Sequence, residues 1–268
     1  MSTGAPGATD TAAWWAAVDL SAAAADGPAA FCADLGPAGL LAAYRAGAFP
    51  MPAADDYAMF MNEARWEDRV AAGSIAIVDP GGDGEAFRVP WWSPDPRPVI
   101  EVGAVRLGSR LARRLRGRDG WTTTADRAFD EVTGRCAEGR RPTWLTQELR
   151  GSLSAVHAMG RAHSAEVWED GALVGGVFGI RVGPVLSLDS MFGLRPDAAR
   201  IAVVDLARRF AEAGGLLLDA QWDSPHIRSL GAVGMPRARY LGFLGSSGED
   251  AGPPPGDERP AARLGIDP

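Results

Sequence analysis

Asp219 and Gln221 stand two residues apart in Leu216-Leu217-Leu218-Asp219-Ala220-Gln221-Trp222, an apolar run that suits a buried strand. Strand alternation sends both side chains to one face and sets a carboxylate beside an amide. Such a pair is a candidate for a polar functional site. It can equally satisfy hydrogen bonds at the end of a strand, and the two residues alone leave both readings open.

A second concentration of chemistry lies in residues 105–118 (VRLGSRLARRLRGR), where Arg106, Arg110, Arg113, Arg114, Arg116 and Arg118 surround Leu107, Leu111 and Leu115. Leucines four apart predict a helix with one apolar stripe. Arginines without a single acid, in a chain of net charge -7, suit a phosphate-binding surface; a solvated helix face fits as well. All 27 basic residues are arginine, so any cationic site here is a guanidinium site with forked geometry for phosphate.

Other chemistries find little support. His157, His163 and His226 are the only histidines, and neither a G-x-S-x-G elbow nor an H-x-x-x-H pair occurs. No metal site is expected. Cys32 and Cys136 lie far apart without metal-ligand spacing and read as free thiols of a reducing compartment. The acidic balance disfavours a protein that coats nucleic acid or membrane with its whole surface. Asp19 and Asp26 interrupt the N-terminal apolar residues, so neither a secretory signal nor a membrane span is expected. The reading is a cytoplasmic protein.

The elements that must position these groups form an α+β pattern. Residues 1–30, rich in Ala and Gly with Trp14 and Trp15 as anchors, predict a flexible arm or a short helix. Residues 37–47 suit a helix with Pro37 at its start and Gly47 at its end. A stretch to Pro90 has a turn-rich break at 79–84, and the prolines of Trp91-Trp92-Ser93-Pro94-Asp95-Pro96-Arg97 force an extended, bent course. Then follow a helix over 146–159, strands over 163–168, 172–180 and 184–190, a helix over 197–213, a strand over 216–222, a short helix near 225–230 and a last strand near 240–244. Gly, Pro, Ser and acidic residues dominate 246–268, which reads as a disordered tail.

Several segments together resemble the leucyl/phenylalanyl-tRNA–protein transferase family, in that family's order. They are Gly39 to Gly47 with Phe49-Pro50; Trp91 to Arg97; Thr143-Trp144-Leu145-Thr146; Ala162 to Trp168; Gly175-Gly176; Ser190-Met191-Phe192; Asp219-Ala220-Gln221; and Ser229-Leu230-Gly231-Ala232. The resemblance implies a small N-terminal domain, here 31–104 with an insertion at 52–90. It implies an acetyltransferase-like (GNAT-type) mixed sheet with flanking helices over 105–245. The implied reaction moves Leu, Phe or Met from aminoacyl-tRNA to the N-terminal Arg or Lys of a protein, marking it for degradation. Aminoacyl-tRNA is already an activated ester, so no cofactor, CoA or metal is implied, and a monomer is expected. Aminolysis needs a neutral amine aligned with the ester carbonyl and support for the developing oxyanion.

By the same resemblance, Asp219 orients and polarises Gln221, whose carbonyl oxygen contacts the incoming amine. Asp189 takes the place of the family's usual Glu and helps hold the amino groups. Val177, Leu186, Met191, Leu206 and Leu218 surround the aminoacyl side chain, with Val177, Leu186 and Leu206 where Met or Phe is commoner. The terminal adenosine stacks on Trp144, and Met51 stands where the family commonly has Trp. These departures also fit a paralogue that acylates a small-molecule amine. A tRNA-binding protein without transfer activity is a third reading, against which Asp219 and Gln221 both argue. An acyl-CoA enzyme would need a glycine-rich loop, and Arg195 to Arg200 contains none.

Overall fold

The computed structural model describes residues 10–78, 85–117, 120–138, 143–245 and 251–266. The chain divides into two compact units, Met1–Pro94 with Arg140–Ser152, and Asp95–Gly139 with Leu153–Pro268. The first unit therefore recruits a later segment that carries Trp144, rather than being the continuous 31–104 of the sequence reading.

The first unit contains α1 (Thr11–Ala17), β1 (Ala30–Cys32), α2 (Pro37–Ala46), β2 (Phe49–Pro50), α3 (Asp56–Ala71), β3 (Ala76–Val78) and β4 (Pro90–Trp92). Its sheet runs β2-β4-β1-β3, with only β1 and β3 parallel. Of the arm and the short helix expected here, the structure has the helix: the Asp10 carboxylate accepts the Ala13 N–H at 3.1 Å and starts α1. Trp15 is buried with its ring centroid 5.1 Å from that of Trp91, and the Trp91 Nε1–H donates to the Cys32 carbonyl at 2.9 Å. Pro37 opens α2 and Gly47, at φ 93°, closes it. The insertion is built on α3, capped by the Asp55 carboxylate on the Ala58 N–H at 2.8 Å. It buries Trp66 against Phe31 and Ile75. The break expected at 79–84 lies outside the described residues.

The second unit contains β5 (Arg97–Glu101), α4 (Ser109–Arg116), β6 (Trp121–Ala125), α5 (Phe129–Ala137), α6 (Gln147–Ala158), β7 (Ala162–Glu169), β8 (Ala172–Val182), β9 (Val185–Ser187) and β10 (Ser190–Gly193). After them come α7 (Ala198–Glu212), β11 (Leu217–Asp219), α8 (Pro225–Leu230), β12 (Val233–Met235), α9 (Arg237–Gly245) and β13 (Arg259–Pro260). The first turns of α6 belong to the other unit. The sheet runs β12-β5-β11-β9-β8-β7-β6-β13, with β10 also on β8 and only β11/β9 parallel. This is a mixed α+β architecture. Its core packs Ile201, Val204, Leu206 and Phe210 of α7 against Val177, Leu186 and Leu218 of the sheet.

Several elements of this unit differ from the sequence reading. The helix expected over 105–118 is confined to Ser109–Arg116 because Gly108, at φ 87°, turns the chain before it. The strand expected over 184–190 breaks between Ser187 and Ser190. The strand near 240–244 is a helix, α9, whose first N–H, on Arg237, is capped by the distant Asp95 carboxylate at 3.0 Å. The tail is folded over 251–266: β13 pairs with β6, and a 3-10 turn over Ala261–Gly265 buries Ala261 and Leu264 beside Leu111 and Leu115 of α4. Buried charge fastens it. Arg209 donates to Asp205 at 2.6 Å and to the Pro255 carbonyl, while Arg263 pairs with the other Asp205 oxygen. A polar composition concealed these few anchors.

Leu264→Ala removes a fully buried side chain from this seam. The expected loss is about 2–5 kcal/mol of stability, measured by urea unfolding.

Candidate active site

β11 carries Asp219 at its last position, between Val99 of antiparallel β5 and Ser187 of parallel β9. The Asp219 carboxylate receives Arg97 Nε at 2.8 Å on Oδ1 and Arg97 Nη2 at 2.7 Å on Oδ2. It also receives the Tyr240 hydroxyl at 2.9 Å on Oδ2 and the Gln221 backbone N–H at 2.9 Å on Oδ1. Asp219 and Arg97 are each 1% exposed. A forked, desolvated pair of this kind is strong in geometry, and either partner is costly to orphan. The Arg97 guanidinium also lies 4.7 Å from the Tyr240 ring centroid. Burial pushes the Tyr240 hydroxyl well above the ordinary phenol value and the Asp219 charge pushes it further, so it stays protonated and donates.

The strand ends at Asp219. Gln221 has φ 61°, a left-handed conformation that costs a residue with a Cβ about 1–3 kcal/mol. The common face expected for Asp219 and Gln221 is therefore corrected: alternation does not reach Gln221, and Asp219 holds its backbone rather than its side chain. The side-chain amide is held by Asp189, whose Oδ1 accepts Gln221 Nε2–H at 2.6 Å. Aspartate, one methylene shorter than the family's Glu, thus spans the gap. Among the described residues no donor reaches Gln221 Oε1.

Asp189 owes its place to the break between β9 and β10. There the Leu188 N–H donates to the Asp219 carbonyl at 2.8 Å and the Asp189 N–H to the Phe178 carbonyl at 3.0 Å. β8 permits the crossing at Gly179, where a Cβ would collide with the Ser187 carbonyl. Only glycine allows the two strands to approach so closely.

Val177, Leu186, Leu206 and Leu218 do come together, but as closed core with no accessible surface; Met191, packed against them, stays partly exposed. The expectation of an open aminoacyl pocket lined by all five is corrected accordingly. The reason is the close seating of α7, whose Ala198 Cβ lies 2.6 Å from where a Gly175 Cβ would stand. Trp144 and Met51 both belong to the first unit and are half-buried. Arg106, Arg110, Arg113, Arg114 and Arg116 are all exposed. Arg114 pairs with Asp197 and Arg116 donates to the Gly265 carbonyl at 2.7 Å, whereas the side chains of Arg106, Arg110 and Arg113 have no partner among the described residues. Arg118 lies outside them.

Arg97 and Tyr240 were not singled out by sequence reasoning. Arg97 closes Trp91-Trp92-Ser93-Pro94-Asp95-Pro96-Arg97, and a carboxylate on an apolar strand is itself a signal that a cation must meet it. Tyr240 gave none once its segment was read as a strand. Two of the three histidines are internally engaged. His163 Nδ1 lies 2.7 Å from Asp126 and its Nε2 accepts from Arg181 at 3.3 Å, while His157 Nδ1 lies 2.8 Å from the Ala162 carbonyl. A cavity of about 690 Å³ lined by Val105, Leu107, Ser109, Arg208 and Glu212 adjoins Val102, off the other end of β5 from Val99 and Asp219.

A two-unit α+β protein whose polar centre is a glutamine held by one carboxylate at its backbone and by another at its side-chain amide is the class that fold and site define. The family profile described as leucyl/phenylalanyl-tRNA protein transferase matches residues 99–245. A protein of that name from Aromatoleum aromaticum (strain DSM 19018 / LMG 30748 / EbN1) is 37% identical over 234 residues, 86% of this chain and 85% of its own. Another from Xanthomonas axonopodis pv. citri (strain 306) is 42% identical over 155 residues, 56% of this chain; the match spans 62% of that relative's length. A solved structure, a GCN5-related N-acetyltransferase from Kribbella flavida, aligns with TM-score 0.34 at 15% identity over 68% of this chain and 74% of its own. The chain belongs to the leucyl/phenylalanyl-tRNA protein transferase family.

Glu166 is a buried carboxylate outside the Asp219 cluster, as Asp205 is. Glu166 accepts from Ser164 at 2.6 Å, Thr124 at 2.5 Å and the Ala128 N–H at 3.4 Å. Burial nevertheless pushes its carboxyl above the ordinary value of 4.5, with Asp126 adding to the rise. The folded state thus binds this proton more tightly than the unfolded chain. Its contribution to stability is full below the ordinary value and declines as pH rises from there through the raised value. Glu166→Gln is expected to flatten that decline, measured as urea midpoints from about pH 4 to 8. Arg97→Ala, which orphans Asp219, is expected to cost about 3–5 kcal/mol in the same assay.

Proposed function

We propose that this protein transfers an amino acid, Leu, Phe or Met, from aminoacyl-tRNA to the N-terminal Arg or Lys of an acceptor protein. The observation that carries the reading is the Gln221 amide: Asp189 takes its N–H, Asp219 takes its backbone N–H, and its carbonyl oxygen is left to accept from an amine. An α-amino group titrates near about 7.7–8, so an appreciable minority of it is already neutral at physiological pH. Gln221 is too weak a base to deprotonate it and acts by alignment. The amine nitrogen bonds to the ester carbonyl carbon, the carbon–oxygen bond to the ribose breaks, and the amine proton ends on the departing ribose hydroxyl. The ester supplies the driving force, so the reaction calls for neither CoA, ATP nor metal.

In this reading Asp189 also faces the substrates' amino groups. Met191 contacts the transferred side chain, with Val177, Leu186, Leu206 and Leu218 forming the apolar wall behind it. Trp144 stacks the terminal adenosine, an interaction worth about 1–3 kcal/mol per base, with Met51 as a second apolar contact. Arg106, Arg110 and Arg113 meet tRNA phosphates, with Arg114, Arg116 and Arg118 as further members of the surface. The protein acts in the cytoplasm as a monomer and feeds N-terminal degradation signals. Among the described residues no helix is long and apolar enough to cross a membrane.

The test is incubation with a mixed pool of aminoacyl-tRNAs and a peptide that starts with Arg. Leu, Phe or Met on the peptide is expected, and Gln221→Ala is expected to slow transfer roughly 100-fold, as misplacement of a reactant does. Absence of peptide product with transfer to a small amine instead would overturn the acceptor assignment. Undiminished transfer by Asp219→Ala would overturn the site. Replacing Arg106, Arg110 and Arg113 together with Ala is expected to make the log–log salt dependence of tRNA binding shallower by about 2–3, close to one unit for each phosphate no longer neutralised.

A further inference from the structure

Gln221 occupies a conformation it would not choose. A single residue with a Cβ at φ 61° relaxes towards the extended or right-handed region unless its surroundings hold it. The hold here is the bond from its own N–H to Asp219 Oδ1, together with the Asp189 contact at the far end of the side chain. The Asp219 bond depends on the carboxylate staying in one orientation, and three further donors fix that. Arg97 Nε shares Oδ1 with the Gln221 N–H, while Arg97 Nη2 and the Tyr240 hydroxyl occupy Oδ2. Arg97 sets the plane of the carboxylate through its fork, and the Tyr240 hydroxyl holds the oxygen that Gln221 does not use. Tyr240 contributes from α9, a helix with no residue against Gln221 itself in the bonds described, and its ring supports the guanidinium from 4.7 Å.

We propose that Tyr240, with Arg97, is a positioning residue for the acyl-transfer step: it locks the Asp219 carboxylate so that Gln221 keeps its left-handed backbone and presents its amide carbonyl to the amine. The proposal rests on the reading of Gln221 as the amine contact. It reassigns Asp219 from polarising an amide to holding a backbone, and it makes α9 part of the machinery. Loss of the hydroxyl leaves Arg97 and Asp219 paired, so Tyr240→Phe perturbs the lock without orphaning a charge. Transition-state alignment suffers more than binding of either substrate. The expected signature is therefore a fall in kcat of about tenfold with KM for the Arg-starting peptide little changed.

The experiment compares the full-length protein with Tyr240→Phe, Gln221→Ala and the double variant in the peptide assay, each first checked for folding by urea unfolding. If Tyr240 acts through Gln221, Tyr240→Phe slows the parent but adds nothing in the Gln221→Ala background, because residues acting as one unit are not additive. Equal slowing in both backgrounds overturns the proposal and leaves Tyr240 a packing residue, as does wild-type kcat in Tyr240→Phe while Gln221→Ala is slow. Undiminished transfer by Gln221→Ala overturns the reading of the site and the proposal with it. Where Gln221→Ala is too slow to measure, hydrogen exchange at the residue 221 amide decides. Faster exchange in Tyr240→Phe supports the lock, and unchanged exchange overturns it.

Discussion

The forked contact between Arg97 and Asp219 is the constraint on which the second unit's polar centre is built. Both groups are stripped of water, so each needs the other in full. Their meeting fixes β5 against β11 at the start of one strand and the end of the other. Everything chemical is then hung on the carboxylate: the backbone of Gln221 on one oxygen, the hydroxyl of Tyr240 on the other. A hydrophobic pair in the same place would pack the strands as well. It would offer nothing to hold a left-handed glutamine or to draw α9 onto the sheet.

The same economy recurs on the far side of the sheet. Asp205 of α7 lies between Arg209 and Arg263, and Arg209 continues to the Thr123 carbonyl at 3.1 Å and to Pro255. Arg181 links His163, the Gly160 carbonyl and the Ala251 carbonyl. In each case one guanidinium addresses several carbonyls from a planar fork, which a lysine ammonium on its flexible stem matches poorly. A chain without lysine has the residue type these buried crossings require.

Elements with local signals were legible in the sequence. Pro37 and Gly47 bound α2, Thr146 caps α6 through the Leu149 N–H at 3.2 Å, and Ser224 caps α8 through the Ile227 N–H at 3.2 Å. The hairpin of β7 and β8 followed from Glu169-Asp170-Gly171, where Asp170 and Gly171 both take positive φ. What escaped was fixed by distant partners. The first N–H of α9 is satisfied by Asp95, and its four apolar residues over 240–244 are too few to separate a strand from a helix by period. Gln221 left the strand because Asp219 pulled its backbone inward, which no alternation rule registers. Motif order drew attention to Asp189, Asp219 and Gln221, which periodicity alone does not group, but the contact of Asp189 with the Gln221 amide was no part of that reading.

The strand pairing at the end of the chain bears on how this protein behaves in company. β6 would otherwise end the large sheet with a row of open N–H and carbonyl groups, a template for a neighbouring chain. β13 covers it with two residues, Arg259 and Pro260, and the second has no N–H to offer onward. Arg259 is fastened to Glu212 at 2.7 and 2.9 Å, so the cover is held by charge rather than by length. The short tail strand therefore acts as a selvedge along this one edge of the sheet.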